Sequence, residues 1–370
     1  MRTFDARRIF NSAGKPAVEV SVLTDDGIFT SSVPSGTSKG SHEAKFADVE
    51  HSIKTIKKMH VPEVNSILDI ESFERQNSRS GANMLALSFA LLKALAASKN
   101  KEVWQLLGQK QKPLMLNKII GGGLHAKSSL EFQEFLAIGT SNSIAKNLDA
   151  AYVMDDYVGK KLKVSGRDLE GGWVVNTDNV SAIRVMQDAA DYTKSQTGVR
   201  VKLGLDIAAS SFYKNGNYVY KNKKLNKEKQ IDFVIGLISK FNLLYVEDPL
   251  HEEDFDGFAK ISKHAKKAMI CGDDLIVTDP ARLLIAKEKS AVNSVIVKPN
   301  QVGYLYKLNK FIHRTREYGY NMVISHRSQE TDDDLLADLC VGYGCGYMKI
   351  GIFGSERLAK INRLLKIFNE

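Results

Sequence analysis

Six short apolar runs in the second half of the chain each lead to a residue that catalysis can use. VKLGL leads to Asp206, LLYV to Glu247, AMICG to Asp273, SVIV to Lys298, MVIS to His326 and GYM to Lys349. Three carboxylates on separate strands, brought together, are hard oxygen donors suited to Mg2+ or Mn2+. A lysine such as Lys298 becomes a base only if its pKa is lowered, which metal ions and a second lysine, Lys349, would do. Arg327 and Ser328 follow His326, and a guanidinium fork beside a hydroxyl suits a phosphate group. Each residue alone has a plainer use. An Asp after a strand is a common helix N-cap, Glu247-Asp248-Pro249 can be a turn, Lys298 can simply pair with a carboxylate, and Arg327 can sit in a surface loop. The occurrence of all six in register favours the chemical reading.

Three motifs lie outside this series. Ser35-Gly36-Thr37-Ser38-Lys39-Gly40 is a small-residue loop able to close over a ligand. Gly121-Gly122-Gly123 brings a flexible backbone close to His125, and Gln133-Glu134 follows on an expected strand. Glu170-Gly171-Gly172 sets a carboxylate beside permissive backbone. Glycine runs are ordinary turns and a lone histidine is usually structural, so none of these decides anything alone.

The elements that must hold these residues follow from their spacing. The six run ends recur at intervals of roughly 25 residues, with one longer gap, the length a strand, helix and two loops require. That rhythm predicts an α/β chain ending in a (β/α)8 barrel, whose strand C-termini all open on one face and build the active site there. The pattern defines the barrel's first two strands least. Helices are expected near 145–162, 180–196, 227–240, 255–267, 281–288, 304–318, 332–341 and 356–368, and Asn215-Gly216-Asn217 reads as a hairpin turn.

The N-terminal part has another rhythm. Val18, Val20 and Val22 alternate with polar residues, Asp26-Gly27 signals a turn, and a second strand is expected near Ile28–Val33. Helical periodicity begins near Glu43 and returns at 67–75 and 83–98. This predicts an N-terminal α+β capping domain, a strand meander plus helices, over residues 1–112, and a barrel catalytic domain over 113–370, with the boundary in Lys110–Pro113.

Composition bounds the rest. The chain has 370 residues, 43% hydrophobic and 26% charged, as a soluble globular protein does. No run approaches the ~20 apolar residues that span a bilayer, and the first residues lack the apolar region of a signal peptide. Three cysteines, Cys271, Cys340 and Cys345, show no metal-ligand spacing and suit a reducing cytoplasm. A formal charge of +9 raises the question of nucleic acid, but much of the excess lies in runs such as Lys221–Lys229 with no recognition motif beside them. No nucleic-acid or membrane partner is expected.

The segments VPSGTSKGSHEA, GGGLHAKSSLEFQEF, GLDIAAS, VEDPL, GDDLIVTDP, VKPNQVG, SHRSQET and MKIGIFGSERLAK, in that order and across nearly the whole chain, strongly resemble the enolase family. The resemblance implies a cytoplasmic glycolytic lyase, a phosphopyruvate hydratase, that interconverts 2-phosphoglycerate and phosphoenolpyruvate with two Mg2+ ions, the second arriving with the small phosphorylated carboxylate substrate. It implies that Asp206, Glu247 and Asp273 are the metal ligands and Lys298 the base at C2. Glu170 would be the acid at the C3 hydroxyl, with Glu134 its carboxylate partner and His125 and His326 the active-site histidines. Lys349 would hold the substrate carboxylate, Arg327 and Ser328 the phosphate, and Ser38 of the closing loop the second Mg2+. A homodimer or higher homo-oligomer is implied as well.

The chain departs from the family pattern beside these residues. Leu169 stands where Asp is usual before Glu170, and Ser211, Gln329 and Ile350 replace Glu, Gly and Thr. The chain is also short before Gly81 and around Glu170. Two other readings therefore stand: an enolase-like paralogue with weak or no activity, acting as a binding or scaffold protein, and a superfamily lyase acting on another carboxylate. The His326-Arg327-Ser328 group argues against the second, because most such substrates carry no phosphate.

Overall fold

The computed structural model describes residues 3–36, 42–45, 47–60, 62–77, 83–126 and 129–370. Ser38, with Thr37, Lys39 and Gly40 of the same loop, lies outside the described residues.

The N-terminal unit is an antiparallel meander of β1 (Thr3–Phe10), β2 (Pro16–Thr24) and β3 (Gly27–Ser32), backed by helices Val49–Ile56, Ile67–Gln76 and Met84–Ser98. Val18, Val20 and Val22 point into its core, and the last helix is buried along most of its length. β1 escaped the sequence pattern because TFDARRIF buries only Phe4 and Ala6. The helix expected from Glu43 begins later, at Val49, where the Asp48 side chain accepts from the His51 N–H. Residues 42–45 are instead tied to the barrel: Ala44 N–H donates to the Gln301 carbonyl, and Glu43 pairs with Arg327.

Beyond it, β4 (Leu114–Gly121), β5 (Glu134–Gly139), β6 (Val164–Arg167), β7 (Trp173–Val175) and β8 (Val201–Asp206) follow. A small antiparallel sheet of β9 (Tyr213–Lys214), β10 (Asn217–Val219) and β11 (Lys224–Leu225) comes next. Its first turn is Asn215-Gly216, both at positive φ, as a two-residue hairpin demands. Then come β12 (Tyr245–Glu247), β13 (Met269–Gly272), β14 (Ser294–Val297), β15 (Asn321–Ser325) and β16 (Tyr347–Gly351). Strands β4, β5, β8, β12, β13, β14, β15 and β16 pair in that order and close through β16–β4 into an eight-stranded barrel. Leu116, Leu136, Ile138, Tyr245, Met269, Cys271, Ile296 and Val323 fill its interior. The eight expected barrel-side helices are all present, with ends shifted by a few residues.

Two details correct the regular picture. β5 runs antiparallel to both β4 and β8, so not every strand C-terminus opens on one face. Among its described residues the connection from β4 to β5, residues 122–133, holds one short helical turn at Gly123–His125 and no crossover helix of the kind that usually joins parallel strands, and the chain returns antiparallel. The first residue of β5, Glu134, therefore reaches the mouth, opposite Asp206 and Gly121. Lys349 also does not end its strand, since β16 continues to Gly351; its long side chain spans the difference. No helix among the described residues is long and apolar enough to cross a membrane.

Candidate active site

Asp206 and Glu247 close adjacent parallel strands, and Asp273 follows β13 directly. All three are buried. Lys349 Nζ sits among them, 2.8 Å from both Asp206 Oδ2 and Glu247 Oε2 and 3.4 Å from Glu134 Oε2. Burial opposes its charge, but Asp206, Glu134 and Glu247 reverse that and hold the ammonium on. Glu247 Oε2 also accepts from the Tyr245 hydroxyl at 2.6 Å, and Asp206 Oδ2 from Gln133 at 3.2 Å. Asp248 and Asp274 crowd against Asp273, and Asp248 receives the backbone N–H groups of both residues 273 and 274. Burial and neighbouring carboxylates push Glu247 and Asp248 well above the usual range and Asp274 up to about 7.

This floor fits a divalent cation. Its donors are hard oxygens, negative charge exceeds the two lysines that face it, and the buried Glu247 Oε1 accepts no hydrogen bond. The expected trio is not the tightest gathering, however. Among the described residues, ligand atoms come within 4.8 Å of one another in Asp248/Asp273/Asp274 and in His125/Glu134/Glu170. Between Asp206 and Glu247 stands the Lys349 ammonium.

Lys298 caps the short helix Pro299–Val302, and its Nζ contacts Asp273 Oδ2. Burial, Arg327 and Lys349 all push its pKa down, as the sequence argument requires, yet contact with Asp273 outweighs them and the pKa is raised. Burial pushes Asp273 up, but Lys298 takes it down to about 2. The lowered lysine pKa is thus not a property of this arrangement, because the carboxylate expected on metal lies on the lysine.

His326 and Arg327 follow β15. Arg357 Nε donates to His326 Nδ1 at 3.1 Å, which leaves Nε2 to carry the ring proton. Burial holds this imidazole well below its ordinary pKa, and Arg357 adds to that effect. The Arg327 fork meets Glu43 of the N-terminal unit at 3.1 Å and Asn300 at 3.2 Å. Gln329 is an anchor: its backbone pairs with Ser35, and its side chain accepts from Ser35 and Asn11. The start of the small-residue loop is thereby fixed to the His326–Ser328 segment. Ile350 lies buried in β16, and nothing in the structure explains Ser211.

A second group forms where the glycine motifs meet. Lys118 Nζ lies 2.6 Å from Glu170 Oε2, 2.7 Å from Asp168 Oδ2 and 3.0 Å from His125 Nδ1. Asp168 Oδ1 accepts from the N–H groups of Glu170 and Gly172. The aspartate missing at position 169 is thus supplied one residue earlier, while Leu169 loops out to 50% exposure. Burial raises the Glu170 pKa, but His125 and Lys118 pull it well below the usual range. Burial likewise raises Glu134, and there it prevails, up to about 7. Lys118, Asp168 and Arg357 were missed from sequence. Lys118 does interrupt the apolar LMLNKII, and Arg357 lies in the SERLAK segment.

His125, Glu134, Glu170, Lys298, His326, Arg327, Ser328 and Lys349 line one cleft of about 310 Å3, open mouth included, with Gly36 at its edge. Fold and cleft together define a barrel of the kind enzymes use, with titratable side chains gathered at its mouth over a carboxylate-rich floor. Residues 109–370 match the family described as "Enolase, C-terminal TIM barrel domain", and residues 1–71 match "Enolase, N-terminal domain". Similar curated proteins include the enolases of Methanocorpusculum labreanum, 37% identical over 98% of this chain and 97% of the relative, and of Archaeoglobus fulgidus, 34% identical over 98% and 95%. The enolase of Methanosphaera stadtmanae is 36% identical over 98% and 95%. The chain belongs to the enolase family and is a lyase.

Proposed function

We propose that the protein catalyses the reversible, Mg2+-dependent dehydration of 2-phosphoglycerate to phosphoenolpyruvate, the enolase step of glycolysis and gluconeogenesis. The supporting observation is the single cleft that places Lys298 and Lys349 with the Glu134–Glu170 pair and the His326-Arg327-Ser328 segment. Asp206, Glu247 and Asp273 would hold the metal. When bound, the cation supplies positive charge for the carboxylate that becomes doubly charged as C2 loses its proton, and it competes with Lys298 for Asp273.

The side chains divide the remaining work. Lys298 takes the C2 proton. Lys349 orients the substrate carboxylate, and Arg327 with Ser328 binds the phosphate, for which Arg327 must trade Glu43. The Glu134–Glu170 pair delivers one proton to the C3 hydroxyl, which leaves as water. His125 and His326, the latter neutral and locked by Arg357, supply hydrogen bonds around the leaving group. Ser38 would help hold the second Mg2+ that the substrate brings. Residues 1–112 act as a cap on the barrel of 113–370, and the working form is a cytoplasmic homodimer or larger homo-oligomer.

The test is phosphoenolpyruvate formation followed by ultraviolet absorbance, with Mg2+ and then with excess chelator. The reading predicts turnover that chelator abolishes and Mg2+ restores. A folded, metal-loaded protein with no turnover would contradict it and favour the scaffold reading.

A further inference from the structure

Lys118 is a buried cation that none of the roles above employs. It occupies the inward face of β4, where the pairing with β5 slips between Lys118 and Ile120. A bulge of this kind re-aims the side chains beside it and is common near active sites. Lys118 Nζ hydrogen-bonds Glu170 and His125 and forms an ion pair with Asp168 Oδ2, and Glu134 Oε1 lies 3.9 Å away. Space is reserved for this arrangement. A Cβ on Gly121 would fall on the Asp168 carboxylate, and one on Gly172 would lie 3.0 Å from Lys118 Cε. Two glycines of the two glycine motifs are therefore required by one ion pair.

We propose that Lys118 is a positioning residue for the acid side of the reaction, aimed by the β4 bulge and balanced by Asp168, so that Glu170 and His125 keep one fixed geometry toward the leaving hydroxyl. This rests on the reading of Glu170 as the acid. A purely structural lysine would serve to hold the 168–172 turn. Asp168 Oδ1 already does that through the N–H groups of Glu170 and Gly172, and its Oδ2 is the oxygen that faces Lys118. The Lys118 charge, after that of His125, also favours the ionised form of Glu170, so the proton the pair delivers through Glu170 rests on Glu134 beforehand. Lys118 therefore sets when the pair carries its proton as well as where the pair points.

Lys118→Met alone strands buried carboxylates and risks failing to fold. The decisive variant is Lys118→Met/Asp168→Asn, which removes both charges and leaves the Oδ1 acceptor of the turn in place. Two rates are measured on the Mg2+-loaded protein in D2O: exchange of the substrate C2 hydrogen and formation of phosphoenolpyruvate. Melting temperature and the pH dependence of kcat accompany them, with wild type and Glu170→Gln alongside. We expect a folded protein whose turnover falls about tenfold or more while C2 exchange stays within about threefold. The basic limb of kcat should move up, because of the two charges removed it is Lys118 that lies directly on Glu170, at 2.6 Å, and favours its ionised form. Turnover within about twofold of wild type with an unmoved basic limb would overturn the proposal, as would equal loss of exchange and turnover. If Glu170→Gln splits the two rates and the double variant does not, Lys118 alone is misassigned. If Glu170→Gln loses both equally, the acid assignment fails and this proposal falls with it.

Discussion

Lys349 is the counter-charge on which the carboxylate floor depends, touching Asp206, Glu247 and Glu134 at once. Lys349→Met should therefore destabilise the metal-free protein by roughly 3–5 kcal/mol, as removing one partner of a buried ion pair does. Urea unfolding with and without Mg2+ checks this, and the deficit should shrink with Mg2+ if the cation takes over the same charge. A deficit unchanged by Mg2+ would place the cation elsewhere. Glu170→Gln should slow dehydration by ~10²–10⁴-fold while C2 exchange persists, because only the acid is lost. Residue identities at the floor were legible in the sequence because each follows an apolar run. Lys118 and Asp168 were not, since their roles depend on a bulge and a one-residue loop-out that residue types do not announce. Whether Lys298 would be free or paired with a carboxylate was left open by the sequence; the pairing with Asp273 forms because the two residues follow the adjacent strands β13 and β14.

At the level of elements, the N-terminal helix Ile67–Gln76 reaches the barrel through Glu74. This buried carboxyl accepts from the Leu305 and Tyr306 N–H groups at 2.7 and 2.9 Å and from the Ser88 hydroxyl. It serves the first turn of helix Leu305–Glu317, whose own N-cap, Tyr304, makes no side-chain cap hydrogen bond. Burial raises the Glu74 pKa to about 7, against these hydrogen bonds. The unfolded chain thus releases this proton at lower pH than the folded one does. Glu74 therefore lowers stability progressively as pH rises from about 4.5 to about 7, and has no such effect below that window. Relative to Glu74→Gln, wild type should lose on the order of 3 kcal/mol across those pH values. Chemical denaturation at pH 4.5, 6 and 7.5 measures it, and a pH-independent difference would show that folding leaves the Glu74 pKa where it was. Most helices were legible from their 3.6-residue apolar rhythm. β1 and the reversed β5 were not, because a charged edge strand hides its period and strand direction is set by a connection rather than by the strand itself.

The whole molecule brings two units together over one cleft. Glu43 on Arg327, Lys93 on Asp333 and Glu74 on Leu305 all cross the seam between the N-terminal unit and the barrel. Division into a meander-plus-helix cap and a barrel follows directly from two different sequence rhythms. The seam does not, because its partners are separated by more than 200 residues of sequence. Cation binding to the folded chain alone must raise its stability, by about 2.7 kcal/mol at a hundredfold excess over Kd. Thermal unfolding should accordingly shift upward with Mg2+ in wild type and much less in Asp206→Asn/Glu247→Gln. An equal shift in both would move the metal off the proposed ligands.

The central claim is that Lys298 removes the C2 proton at this cleft. Its most direct test is nuclear magnetic resonance of 2-phosphoglycerate in D2O with the Mg2+-loaded protein, following loss of the C2 hydrogen signal in wild type and in Lys298→Ala. Rapid exchange in wild type and none above background in the folded variant is the predicted result. Exchange that persists in Lys298→Ala would show that another group is the base and that the roles assigned around the cleft are wrong.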